Sequence, residues 1–117
     1  MSKRPKTDSA DKTGPLHGTL DLLVLKAVSL QPLHGVGLMQ RIEQITGGPV
    51  RVSYGSLFPA VHRMEEKGWL AAEWRASDNN RRAKYYTLTR AGHRQLQVAE
   101  EEWDRLVRAV STALRST

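Results

Sequence analysis

The side chains of this sequence whose types and spacing could do chemistry are concentrated between residues 53 and 84. The segment SYGSLFPAVHRMEEKGW (53–69) carries His62, Arg63 and Lys67 with the hydroxyls of Ser53, Tyr54 and Ser56; Arg75, Asn80, Arg81, Arg82 and Lys84 follow it. Guanidinium and ammonium groups stay protonated at neutral pH, so they act as donors to oxyanions rather than as bases. Bond-making chemistry needs a different set. His17, His34, His62 and His93 fall on separate segments, no H-x-x-x-H or paired-carboxylate spacing occurs, and Glu100 to Glu102 read as a solvated helix face. No catalytic residue, metal ligand or cofactor is expected. The basic cluster implies recognition of a polyanion, double-stranded DNA above all.

Positioning these groups requires a helix over residues 53–69. Leu57, Val61 and Met64 fall at i, i+4 and i+7, an inward stripe with Tyr54 on its edge; Ser56, Pro59, Arg63 and Glu66 point away. Ser53 is placed to cap the helix, and Gly68 to end it in the left-handed conformation. At the leading end of such a helix sit the base readers, Ser53, Tyr54 and Ser56, with His62 and Arg63 further along and Arg63 suited to a guanine. Tyr54 is equally placed for the core, and Arg63 for an ion pair with Glu66. Pro59 removes a backbone bond unless the regular turns begin near Ser56.

Two helices precede this one. In TLDLLVLKAVSLQPL, Leu20, Leu23, Val24, Ala27 and Val28 keep helical spacing and Leu22, Leu25 and Leu30 widen the stripe. Thr19 is the expected cap, Asp21 falls in the first turn, and Pro32 marks the stop. A stripe this wide asks for cover from a second chain. VGLMQRIEQITGG turns Leu38, Met39, Ile42 and Ile45 inward and closes on Gly47 and Gly48. Val50 and Val52 suggest a brief strand before Ser53. After Gly68, WLAAEW and AKYYTL read as a hairpin around RASDNNRR, with Asn79 and Asn80 in the turn and four cations against Asp78. Trp69 and Trp74 are expected where this hairpin meets the helices. A basic hairpin directly after a recognition helix distinguishes a winged helix from a plain helix-turn-helix. Its Arg81, Arg82 and Lys84 suit phosphates or the minor groove, and so govern affinity and salt dependence more than sequence choice.

Thr89 then caps a last helix whose Leu96, Ala99, Trp103, Leu106, Val110 and Ala113 recur at intervals of three and four, with Gly92 weakening the first turn. The wing is too small to cover this seam, which implies a twofold dimer. Residues 1–15 are almost without apolar side chains and read as a disordered basic tail, whose Lys3, Arg4, Lys6 and Lys12 could add phosphate contacts.

With 117 residues, a net charge of +6 and a pI near 10.1, the rest suits one small basic domain. The absence of cysteine fits a reducing compartment, no apolar run reaches the ~18 residues of a membrane span, and the N-terminus lacks an apolar signal region, so a soluble cytoplasmic protein is expected. The expected fold is mainly α with a small β-hairpin: a basic tail (1–15), a winged helix-turn-helix (16–88) and a C-terminal dimerisation helix (89–117).

GTLDLLVLKAVSLQPLHG, GSLFPAVHRMEEKGW and NNRRAKYYTLTRAGHRQL, in this order, resemble the PadR family of bacterial transcriptional regulators in its short form, over residues from about 18 to the end. The resemblance implies a winged helix that dimerises through its N- and C-terminal helices, here Leu20 and Leu23 with Leu96, Ala99, Trp103, Leu106, Val110 and Ala113. It also implies repression from an inverted-repeat operator until a signal intervenes. Some members hold flat aromatic or cationic compounds against a central tryptophan between the long helices, which makes Trp103 a ligand candidate beside its packing role. Two departures stand out. The family's HGYEI is His34, Gly35, Val36, Gly37 and Leu38 here, and its LYPAL is Leu57, Phe58, Pro59, Ala60 and Val61, so a phosphate contact from a hydroxyl at position 58 does not carry over. A winged helix serving only as a protein adaptor is the competing reading, opposed by the one-signed charge of helix and wing.

Overall fold

The computed structural model describes residues 5–76 and 79–117, with side chains from residue 18 onward. The chain runs α1 (Pro5–Leu30), α2 (Gly35–Ile45), α3 (Tyr54–Glu66), β1 (Leu70–Ala76), β2 (Arg82–Leu88) and α4 (Arg90–Arg115). Four helices and an antiparallel hairpin give the expected mainly α winged fold. Residues 5–15, expected within a disordered tail, are instead the first turns of α1; the basic side chains of that tail lie outside the described side chains, as does Asp78. Thr19 lies within α1 rather than at its start.

Val24, Leu25, Ala27 and Val28 of α1 are buried, with Leu20, Leu22 and Leu23 packed against them half-exposed, so much of the wide stripe is covered within the chain. The rest of the core is Leu33, Leu38, Ile42, Leu57, Ala60, Val61, Met64, Leu70, Tyr86 and Leu96. In α2, Leu38 and Ile42 are buried and Met39 packs beside them. Ile45, expected inward, is exposed as the last residue of the helix, beyond which the chain turns through Gly47 and Gly48 at φ 78° and 107°. His34, not a hydroxyl or carboxylate, caps α2: its Nδ1 accepts from the Gly37 amide at 3.2 Å. No strand forms at Val50 and Val52. The hairpin's third neighbour is Leu33, whose amide and carbonyl exchange bonds with Tyr86 at 3.2 and 2.9 Å. That bridge ties the wing to the turn before α2.

Strand pairing runs from Leu70↔Leu88 to Ala76↔Arg82, and Asn80 takes the left-handed turn conformation at φ 62°. Trp69 packs against the core as expected. Trp74 does not: it is 58% exposed, because the strand face shared with Leu70 and Ala72 runs past the helices. Thr89 caps α4, accepting from the Gly92 amide at 2.9 Å while its hydroxyl donates to the Gly68 carbonyl at 2.6 Å. Gly92 does more than weaken this turn. A Cβ there would overlap the Trp69 carbonyl oxygen and lie 2.6 Å from Leu88 Cδ1, so glycine is what lets α4 close on the wing's root.

Candidate nucleic-acid interface

α3 is built as its sequence suggests, with one difference. Ser53 caps it, its Oγ accepting from the Ser56 amide at 3.3 Å. The Gly68 and Trp69 amides close it onto the Glu65 and Met64 carbonyls, both at 3.0 Å, with Gly68 at φ 80°. Regular turns begin at Tyr54, so Pro59 lies inside the helix and supplies no amide to the Gly55 carbonyl. Leu57, Ala60, Val61 and Met64 face the core. Ser53, Tyr54, Ser56, Phe58, Pro59, His62 and Lys67 are exposed. Tyr54 thus falls outside the core, its ring stacked on Phe58 with centroids 4.9 Å apart and planes at 13°.

Arg63, expected on the outward face, is turned toward α1. Its Nη2 lies 2.6 Å from Asp21 Oδ1, and both side chains are mostly buried. The position borders the inward stripe, next to Met64, and a carboxylate there gives a charge-assisted bond that a solvated Glu66 cannot match. Arg63 is therefore a tie between α3 and α1. Lys84 is also engaged, 3.4 Å from Glu65 Oε1 and 5.6 Å from the Tyr86 ring centroid. It fastens the wing to α3. Burial pushes the Tyr86 phenol up, with Lys84 lowering it and Glu65 adding to the rise.

The outward wing carries Asn80, Arg81 and Arg82, all exposed, and its cations lie over its aromatics: Arg82 is 5.7 Å from the Trp74 ring centroid and Arg75 4.8 Å from that of Tyr85. Arg75 also pairs with Glu73 at 3.3 Å. Such contacts stiffen long side chains while leaving their donors outward. Helix and wing together present hydroxyls, an imidazole and guanidinium groups on elements adjacent in the chain and in contact in the fold.

The expected dimer face divides in two. Leu96 is buried inside the chain, and Ala99 and Leu106 are half-buried against α1. From Trp103, 41% exposed, the stripe is open through Val107, Val110, Ala113 and Leu114, the last 81% exposed. Between α1 and α4 lies a cavity of about 390 Å³ walled by Leu22, Leu25, Trp69 and Trp103, with the Asp21 and Glu102 carboxylates at its edge. Among the described residues no cluster suited to a metal ion occurs, and no helix is long and apolar enough to cross a membrane.

Two features escaped the sequence reading, the Asp21–Arg63 tie and the Lys84–Glu65 tie, each joining residues too far apart for a local signal; the cavity adjoins Trp103, the ligand candidate the resemblance implied, but lies between α1 and α4 of one chain. Asp21 was visible only as a charge early in a helix.

This arrangement defines the class: a winged helix-turn-helix with a basic wing and a long C-terminal helix. Residues 24–98 match the Transcriptional regulator PadR-like family, and the chain belongs to it. It is 33% identical over 89 residues to transcriptional regulator Rv3488 of Mycobacterium tuberculosis, covering 76% of this chain and 79% of that one. A PadR family transcriptional regulator of Eggerthella lenta superposes with a TM-score of 0.73 at 29% identity, covering 95% and 96% of the two chains. A PadR-like transcription factor of Bacteroides fragilis shares the fold with a TM-score of 0.70 at 24% identity, over 89% and 98%. The family is one of transcriptional regulators that bind DNA, and the chain is a transcriptional regulator of the PadR family.

Proposed function

We propose that the protein is a cytoplasmic homodimeric repressor that binds an inverted-repeat operator and is released by a small flat aromatic effector. The observation that carries the DNA part is the exposed α3 face of Ser53, Tyr54, Ser56, His62 and Lys67 beside the exposed Asn80, Arg81 and Arg82 of the wing. In this reading α3 lies in the major groove, its first turn toward the bases, and the wing reaches the flanking phosphates. Arg63 stays with Asp21 and holds α3 at its angle, and Lys84 holds the wing.

The open stripe from Trp103 to Leu114 supports the dimer, because apolar side chains at this spacing on a protruding helix suit a second copy of the same helix. Twofold pairing then sets two reading helices on half-sites separated by about one turn of DNA or a multiple of it. The cavity beside Trp103 suits a planar apolar effector, and the Glu102 carboxylate at its edge favours a cationic one, Asp21 being already paired with Arg63.

Fluorescence anisotropy with DNA from upstream of the protein's own operon, across a salt series, tests the reading. Specific binding that weakens linearly in log–log with salt is expected. Equal affinity for every sequence would sink the repressor, and a monomer at micromolar concentration in sedimentation would sink the dimer.

A further inference from the structure

The outward face of α3 carries something that phosphate binding does not explain. Tyr54 and Phe58 stack there with both rings 42% exposed, although Leu57, Ala60, Val61 and Met64 already fill the inner side of the helix. The pair rests on the backbone at the start of α2. A Cβ on Gly35 would come within 3.5 Å of Phe58 Cε1 and 3.7 Å of Tyr54 Cε1, so the rings sit on a surface with no side chain between. Val36, also exposed, follows Gly35. The patch is thus apolar and exposed, with His62 one turn along from Phe58 on the same side of α3, and it lies on a different helix from the open stripe of α4.

An aromatic pair held this way loses little freedom on contact, having few rotatable bonds and a stacked partner. Its occupant should be apolar and should lie where α3 meets DNA. The apolar group exposed on the major-groove edge of a base pair is the C5 methyl of thymine. The alternative anchor of base reading, a guanidinium on O6 and N7 of guanine, is missing from this face, since the single arginine of α3 is bound to Asp21 at 2.6 Å.

We propose that Tyr54 and Phe58 are the specificity-determining residues of α3 and read thymine through its methyl group. The proposal rests on the DNA-binding reading above. It makes the operator preference hydrophobic at its centre and leaves Ser53, Ser56 and His62 to hydrogen-bond neighbouring edges. Tyr54 brings its phenolic hydroxyl to the rim of the pair, while Phe58 offers carbon alone.

The test uses the full-length protein and a half-site selected from random-sequence DNA. Each thymine is replaced in turn by deoxyuridine, which removes the methyl and keeps every Watson–Crick and groove hydrogen bond. Wild-type affinity should fall about fourfold at one or two positions in each half-site, the effect of leaving one methyl uncovered. Tyr54→Ala and Phe58→Ala should bind the thymine operator more weakly and no longer distinguish it from the uridine one. Phe58→Leu, which keeps apolar bulk, should retain part of the discrimination and guards against a folding defect in the alanine variant. Tolerance of uridine at every position, or unchanged discrimination by both alanine variants, overturns the proposal. An equal loss by the variants on all sequences, without a uridine effect, would assign the pair to the sugar-phosphate backbone and overturn it too. Failure of the wild type to prefer the selected half-site over scrambled DNA would instead defeat the DNA-binding reading itself.

Discussion

Replacing Gly92 with alanine sets two effects of opposite sign against each other. Alanine is favoured over glycine inside a helix by about 1 kcal/mol, so α4 considered alone should gain. Against this, the added Cβ would overlap the Trp69 carbonyl oxygen and crowd Leu88. The obstruction is backbone, and it is already committed: the Trp69 carbonyl accepts from the Thr89 amide at 3.0 Å, beside the 2.6 Å bond from the Thr89 hydroxyl to Gly68. Moving α4 away loosens both, at about 1 kcal/mol each, on top of the ~1–3 kcal/mol that overpacking costs. The clash wins, with a net loss of about 2–4 kcal/mol and a fall in Tm on the order of 10 °C. Urea unfolding followed by far-UV circular dichroism, at fixed protein concentration because a dimer couples stability to concentration, reads it out. Gly18→Ala in α1 is the control, since a Cβ there meets nothing within 4 Å and the substitution should be neutral or stabilising. If Gly92→Ala proved as stable as the wild type, the close approach of α4 to the wing's root would be refuted.

Arg63→Met leaves the Asp21 carboxylate mostly buried without its partner and should cost about 1–3 kcal/mol, while Asp21→Asn with Arg63→Met should cost less than the two singles summed, as a double-mutant cycle by denaturation will show. Leu114→Asp places a charge in the open stripe of α4 and should raise the dimer dissociation constant at least tenfold in sedimentation equilibrium, with the monomer's helix content intact. Arg82→Ala should weaken DNA binding on all sequences alike and reduce the log–log salt slope by about 1; a change in sequence preference would contradict a phosphate role. Trp103→Ala should reduce tryptophan quenching by a planar aromatic cation, leaving the part due to Trp69 on the same cavity wall, and unchanged quenching would remove Trp103 from the cavity's binding surface.

What could be read from the sequence is what local rules govern. The caps at Ser53 and Thr89, the left-handed Gly68 and Asn80, and the stripe of Leu57, Val61 and Met64 each depend on residues within a turn or two of one another, and each stands as read. His34 escaped because imidazole is not among the usual capping groups, though the Gly-Val-Gly after it leaves the amides open. The outward assignment of Arg63 failed for a different reason. Helical angle put it on the border between core and solvent, and its side was decided by a carboxylate 42 residues earlier. Trp74 shows the converse: alternation along β1 gives its face correctly but not where along the strand the core ends.

The length of α4 turns the proposed pairing face into a lever. At 1.5 Å per residue, Trp103, where the open stripe begins, lies roughly 20 Å along the axis from the Arg90 end that is anchored to the wing. A rotation of about 10° at that pivot swings the anchored end by roughly 3.5 Å, close to the rise of one base pair. Repacking a few side chains around Trp103 would thus shift the reach of the caliper by about one letter of its text, enough to put both reading heads out of step with a fixed pair of half-sites.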